Sequence, residues 1–215
     1  MRQRLEIDLL LGLDTLKQNP GISVFFQVAQ EFGRKVELLE GYLQEFIYRA
    51  PDALISPGNN YGHMSGGLDL AVQDMSGGWA EAAIQREIGR KYLNELSVGQ
   101  ALLVSNPVGR VKHVIYAPTM RAPKKLEWGN DVPYRATLAA LQQIHQYNTA
   151  NPASPIIRVV TPMMGVGTGE IPAVTALTQQ ALALHRYSYE EPVDHLFRDG
   201  AANDELISNT WPKRF

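Results

Sequence analysis

The sequence predicts an α/β fold built on a mixed, mostly parallel sheet, and three observations carry that expectation. Short apolar runs alternate along the chain with longer segments of helical spacing, the order expected of strand–helix repeats. Several runs, ALLV at 101–104 and VIYA at 114–117 among them, are apolar at every position, as in strands covered on both faces. Two strand-to-helix junctions are glycine-rich, as happens where an α/β protein turns backbone N–H groups toward an anion.

Taken in order, Leu5, Ile7 and Leu9 alternate with polar residues and predict a first strand near 4–11. That N-terminus is basic and then apolar, but Glu6 and Asp8 interrupt it, so it reads as a strand and not a signal peptide. After the turn Asn19-Pro20-Gly21, residues Ile22, Phe25, Phe26, Ala29 and Phe32 fall at helical spacing, with Gly33 as a stop. Residues 35–39 read as a second strand, 43–48 as a short helical link and 53–56 as a third strand. The stretch Pro57 to Gly67 then carries too much Gly, Pro and Asn for regular structure.

Leu68 to Met75 predicts a short helix and Trp79 to Leu96 a long amphipathic one. Strands near 99–105 and 112–117 flank the turn Asn106-Pro107-Val108-Gly109. Residues 121–132 form an irregular, charged loop. A helix over 134–147 precedes a strand at 156–160, a second glycine loop at 161–172 (TPMMGVGTGEIP) and a final helix at 173–187. Residues 188–215 are weakly periodic and read as a C-terminal extension, either packed on the domain or mobile.

Composition narrows the function classes. With 215 residues, 45% hydrophobic and 20% charged, the chain is long enough for one sizeable core. A net charge of −2 argues against a broad nucleic-acid footprint. The absence of cysteine removes disulfides, thiolate metal sites and a cysteine nucleophile. The five histidines are scattered without metal-ligand spacing, so neither a metal nor a cofactor is expected. No run approaches membrane-spanning length, and a cytoplasmic location is the expectation.

Ligands of open α/β sheets sit beyond the carboxyl ends of the strands, so both glycine loops should open on one edge. Gly66 and Gly67 on one side, with Gly165, Gly167 and Gly169 on the other, could then hold a diphosphate through main-chain amides. GxxxxGK[ST] is absent, and Gly165-Val166-Gly167-Thr168-Gly169 breaks the GxGxxG spacing, which disfavours P-loop and dinucleotide folds.

The stretch DALISPGNNYGHMSGGLDLAV resembles the macro-domain signature, in which a DAIVNAAN-type strand leads to GGGVDxAI, and Gly165 to Pro172 resembles that family's second phosphate loop. The similarity is greatest to a bacterial or phage-type branch and covers about residues 35–187. It implies a three-layer α/β/α fold over 1–187 and a ligand of the ADP-ribose type, free or on a modified target. It also implies possible hydrolysis of ADP-ribosyl, phosphate or acetyl esters. A non-catalytic ADP-ribose reader and a phage-assembly scaffold are the competing readings.

By position the resemblance makes Asn59 the residue that orients the distal ribose, and Asp69 the acid that positions or activates water. Asn60, Gly66 and Gly67 belong to the first loop, and Gly165, Val166, Gly167, Thr168 and Gly169 to the second. On the residues alone, Asn59 could instead satisfy turn backbone, and Asp69 could simply favour a helix N-terminus. Ser56 stands where the family has the first Asn of NAAN. Tyr42 follows Gly41 where many relatives have an adenine-holding Asp, so it either stacks on a base or packs in the core. His63, inside the first loop, is a proton-transfer candidate or a solvent-facing histidine.

Overall fold

Among the described residues, six strands form a single sheet in the order β2-β1-β6-β3-β5-β4. The computed structural model describes residues 5–19, 35–106, 111–188, 204–205 and 207–211. Within them the strands are β1 (Glu6–Leu11), β2 (Lys35–Glu40), β3 (Ala53–Asn59), β4 (Leu102–Ser105), β5 (His113–Met120) and β6 (Arg158–Pro162). The described α-helices are α1 (Thr15–Gln18), α2 (Leu43–Phe46), α3 (Gly67–Met75), α4 (Ala80–Tyr92), α5 (Val132–Ala150) and α6 (Ala173–Ser188). All strand pairs are parallel except β4 with β5. The sheet is therefore mixed and mostly parallel, as predicted.

Strand alternation sends neighbouring residues to opposite faces and builds two cores. Leu9, Ile55, Ile115 and Val159 pack under α5 and α6 with Ala140, Leu141, Ile144 and Leu184. Leu10, Leu54, Val114, Tyr116 and Val160 pack under α3 and α4 with Val72, Ala83, Ile84 and Ile88. Helices thus cover both faces, giving the α/β/α arrangement.

Several boundaries differ from the sequence expectation, each for a local reason. β3 does not stop at Ser56 but runs on through Pro57 and Gly58 to Asn59. Proline is tolerated because β6 pairs with β3 only at Ala53 and Leu54, leaving that side unpaired farther on. The fourth strand begins at Leu102, not Gly99, since Gly99 takes φ +91° and Val98 gives its carbonyl to Arg135. α4 ends at Tyr92, where Leu93 and Asn94 adopt left-handed φ of 53° and 69°. α5 starts earlier than expected, with Pro133 in its first turn, where the missing N–H costs nothing. The helix expected over 22–33 and most of the turn at 106–109 lie outside the described residues.

The parting of β3 and β6 is what positions the site. The two strands pair at Ala53↔Val159 and Leu54↔Val160 and then separate, so their carboxyl ends leave a gap. Each strand delivers a glycine loop to that gap.

Candidate functional site

The two loops converge on one cleft with two lobes. The larger lobe, about 430 Å³, lies between residues 10–12, residues 41–44, Leu68, Met163 and Val166. The other, about 360 Å³, is bounded by residues 57–59, His63, Asp69, Thr119 and the second loop. Gly67, Leu68, Pro162, Met163 and Gly167 belong to both lobes, so the loops meet where the lobes join.

The glycines divide into two kinds. Gly58 gives room to a neighbour: a Cβ there would stand 2.5 Å from Tyr116 Cζ and closer still to its hydroxyl. Gly169 does the same within the second loop, where a Cβ would lie 2.9 Å from Leu126 Cδ1 and nearer to Gly165 O. By contrast, a Cβ on Gly66, Gly67 or Gly167 would meet nothing within 4 Å. Those three expose bare backbone to the cleft. Gly66 precedes the first turn of α3, whose initial N–H groups have no intrahelical acceptor. The second loop is closed on itself by Ile171 N–H to Gly165 O at 3.1 Å and Glu170 N–H to Gly167 O at 3.0 Å. Its remaining N–H groups at Val166, Gly167 and Thr168 have no acceptor among the described residues. Such a pair of turns can bind an oxyanion without Lys or Arg.

Asp69 lies at the wall of the smaller lobe, half-buried on the first turn of α3. Ser56, wholly buried at the end of the apolar run in β3, donates to Asp69 Oδ1 at 2.9 Å. Burial pushes the Asp69 carboxyl up to about 7, against the smaller, lowering effect of the Ser56 hydrogen bond. A group poised near neutrality in a cleft is equipped to exchange protons.

Asn59 lines the same lobe, but its amide is engaged by its own loop. Oδ1 accepts from the N–H groups of Tyr61 and His63 at 3.0 and 3.3 Å, and Nδ2 donates to His63 O at 2.8 Å. Asn60 is buried, lines neither lobe, and donates to Glu95 Oε1 at 3.0 Å. Tyr42 borders the larger lobe with its residue 63% exposed, so it does not pack in the core. Val166 lines the larger lobe, and Gly165, Thr168 and Gly169 the smaller one, with Gly165 packed against Ile171.

Tyr116 lies in the core, as its apolar run predicts, and supports the site from there through a partnership the sequence does not show. Its buried hydroxyl donates to Asn59 O at 2.8 Å and accepts from Asn59 N–H at 2.9 Å, pinning the end of β3. Burial raises its pKa, and the Asp69 charge adds to that, so it stays a neutral phenol. Leu126, an isolated apolar residue in a charged loop, supports the second loop by donating its N–H to Gly169 O at 3.0 Å. Among the described residues no cluster of three metal-ligating side chains occurs, and no helix is long and apolar enough to cross a membrane.

No protein-family model matches the chain. An uncharacterized protein of Aquifex aeolicus (strain VF5) is 30% identical over 126 residues, which cover 58% of this chain and 67% of that one, and the two belong to one family. Among solved structures, the macrodomain of Mycobacterium tuberculosis DarG superposes with a TM-score of 0.51 at 20% identity, covering 64% of this chain and 82% of that one. The chain has the macrodomain fold. A second macrodomain, a point mutant of the Oceanobacillus iheyensis protein solved with ADPR, gives a TM-score of 0.50 at 14% identity, covering 66% of this chain and 74% of that one. At these identities the likeness concerns the fold, and the site of this chain rests on its own geometry.

Proposed function

We propose that the cleft binds ADP-ribose or an ADP-ribosyl group and that the protein cleaves the bond at the anomeric carbon of the terminal ribose. The observation that carries this reading is the exposed backbone of Gly67 and Gly167 at the junction of two lobes, with Gly66 beside them in the smaller one. A diphosphate spans that junction, accepting from the amides of both loops. The adenosine end occupies the lobe bordered by Gly41 and Tyr42, and the terminal ribose lies beside Asp69. A relative by fold, the Oceanobacillus macrodomain, has been solved with ADPR, which supports the choice of ligand.

Cleavage is drawn from Asp69. With its carboxyl near 7, much of it is ionised at neutral pH and able to take a proton from water. The engagement of Asn59 with its own loop leaves Asp69 as the better candidate of the two for that role.

Calorimetric titration with ADP-ribose, using AMP and NAD as controls, tests binding. Heat with ADP-ribose and little with AMP is expected; no heat at millimolar ligand would sink the reading in favour of a scaffold. Turnover is tested with a mono-ADP-ribosylated protein. Loss of release by about 10²-fold or more in Asp69→Ala is expected, whereas binding without release would leave a non-catalytic reader.

A further inference from the structure

His63 lies on an exposed loop, yet it is fixed from two sides. The Asn59 amide clamps its backbone, accepting from its N–H at 3.3 Å and donating to its carbonyl at 2.8 Å. Its ring is held from α4: Nδ1 stands 3.2 Å from Gln85 Nε2 and 3.7 Å from Glu81 Oε1. Glu81 is itself fixed, accepting from Met64 N–H at 3.3 Å and from Gln85 Nε2 at 3.1 Å. The side chain is nevertheless 64% exposed, and His63 lines the lobe that holds Asp69. A solvent-facing histidine needs no such bracing, whereas reacting groups are held by supporting hydrogen bonds. The acid form is the imidazolium, in which Glu81 takes the Nδ1–H in place of the Gln85 amide and Nε2, on the opposite edge of the ring, carries the proton to be given.

We propose that His63 is a catalytic acid that protonates the leaving atom of ADP-ribosyl substrates whose leaving group is strongly basic, an alkoxide above all. The proposal rests on the cleavage reading given above. A water oxygen bonds to the anomeric carbon as the bond from that carbon to the leaving oxygen breaks. The bonding pair stays with the leaving oxygen, which takes the proton from His63 Nε2, while the water's proton passes to the Asp69 carboxylate. ADP-ribose and a neutral alcohol result. Solvent then returns a proton to the exposed imidazole and removes one from Asp69. Carboxylate and phosphate leaving groups depart as stable anions and gain little from such an acid.

The test compares two substrates in the full chain: a peptide carrying ADP-ribose on serine, and ADP-ribose phosphorylated at the anomeric position. His63→Ala is expected to slow release from serine by about 10²-fold more than release of phosphate. Added imidazole should restore part of the lost serine activity, which a purely structural role would not allow. Equal losses on both substrates, absence of rescue, or a wild-type protein inactive on the serine substrate would each overturn the proposal. Calorimetry with ADP-ribose keeps the two levels apart. Heat without cleavage of either substrate removes the catalytic role and leaves the binding reading, while absence of heat removes both.

Discussion

Ser56, buried in β3 behind the cleft, donates its hydroxyl to the carboxylate of Asp69, on the first turn of α3 at the cleft wall, at 2.9 Å. That single hydrogen bond opposes the burial that raises the Asp69 carboxyl to about 7. Ser56→Ala should therefore move the Asp69 titration upward, above 7. If Asp69 acts as a base, the acid limb of the pH–rate profile moves to higher pH with it. Carbon-detected NMR of the carboxyl, or the profile itself, would show the shift; a downward movement would contradict the assignment of cause.

The same carboxyl makes stability depend on pH. Its folded value is raised above the ordinary 3.8, so the folded state binds the extra proton. The associated stability is fully present below pH 3.8 and is lost as pH climbs through about 7. Asp69→Asn removes that loss. The variant should be more stable than wild type at about pH 8, on the order of 1–2 kcal/mol once partial exposure is discounted. The gap should close as pH falls toward 3.8. Urea denaturation at several pH values checks both the sign and the window.

Tyr116→Phe takes away the hydroxyl that satisfies both the N–H and the carbonyl of Asn59 in a buried place. Leaving these groups unpaired should cost about 1–3 kcal/mol. The loss should appear in thermal unfolding, and hydrogen exchange should speed up at Asn59 while the helices remain protected. Gly58→Ala is expected to be worse, since its Cβ would collide with the ring itself.

Trp211 ties the described C-terminal residues to the back of the second loop. Its Nε1 donates to Asn130 O at 3.0 Å, its ring lies 5.9 Å from that of Trp128, and it shares a cluster with Leu126 and Ile171. Trp211→Ala should destabilise the fold by about 3 kcal/mol. Because Leu126 and Ile171 both crowd Gly165, ligand affinity should fall as well, measured at a temperature where the variant is fully folded.

The architecture was legible because it rests on long-range patterns. The alternation of apolar runs with helical segments points to a parallel sheet, and a strand holding residues 114–117 could be hidden on both faces only beneath helices. The glycine loops announced themselves by composition, and their convergence followed from both leaving the carboxyl edge. What escaped was side-chain partnership across the sheet. Nothing in VIYA shows that the Tyr116 hydroxyl reaches back to Asn59, and nothing in Asn59 shows that its amide is engaged by His63. Pro57 and Gly58 looked like loop residues because the parting of β6 from β3, which lets a proline stay in a strand, cannot be seen in either segment alone.

The two kinds of glycine give a way to separate fold from function. A methyl group on Gly167 meets no atom within 4 Å, and its φ is not in the left-handed region, so Gly167→Ala should change stability by no more than about 1 kcal/mol, in the stabilising direction. That methyl would occupy the space over the loop amides where a phosphate is proposed to sit. Gly169→Ala pushes its methyl into Gly165 O and Leu126 and should destabilise the second loop itself. Paired unfolding and ADP-ribose titration would therefore give opposite signatures: intact fold with weakened binding for the first, and lowered stability for the second. If Gly167→Ala binds ADP-ribose as wild type does, the phosphate does not pass over that loop.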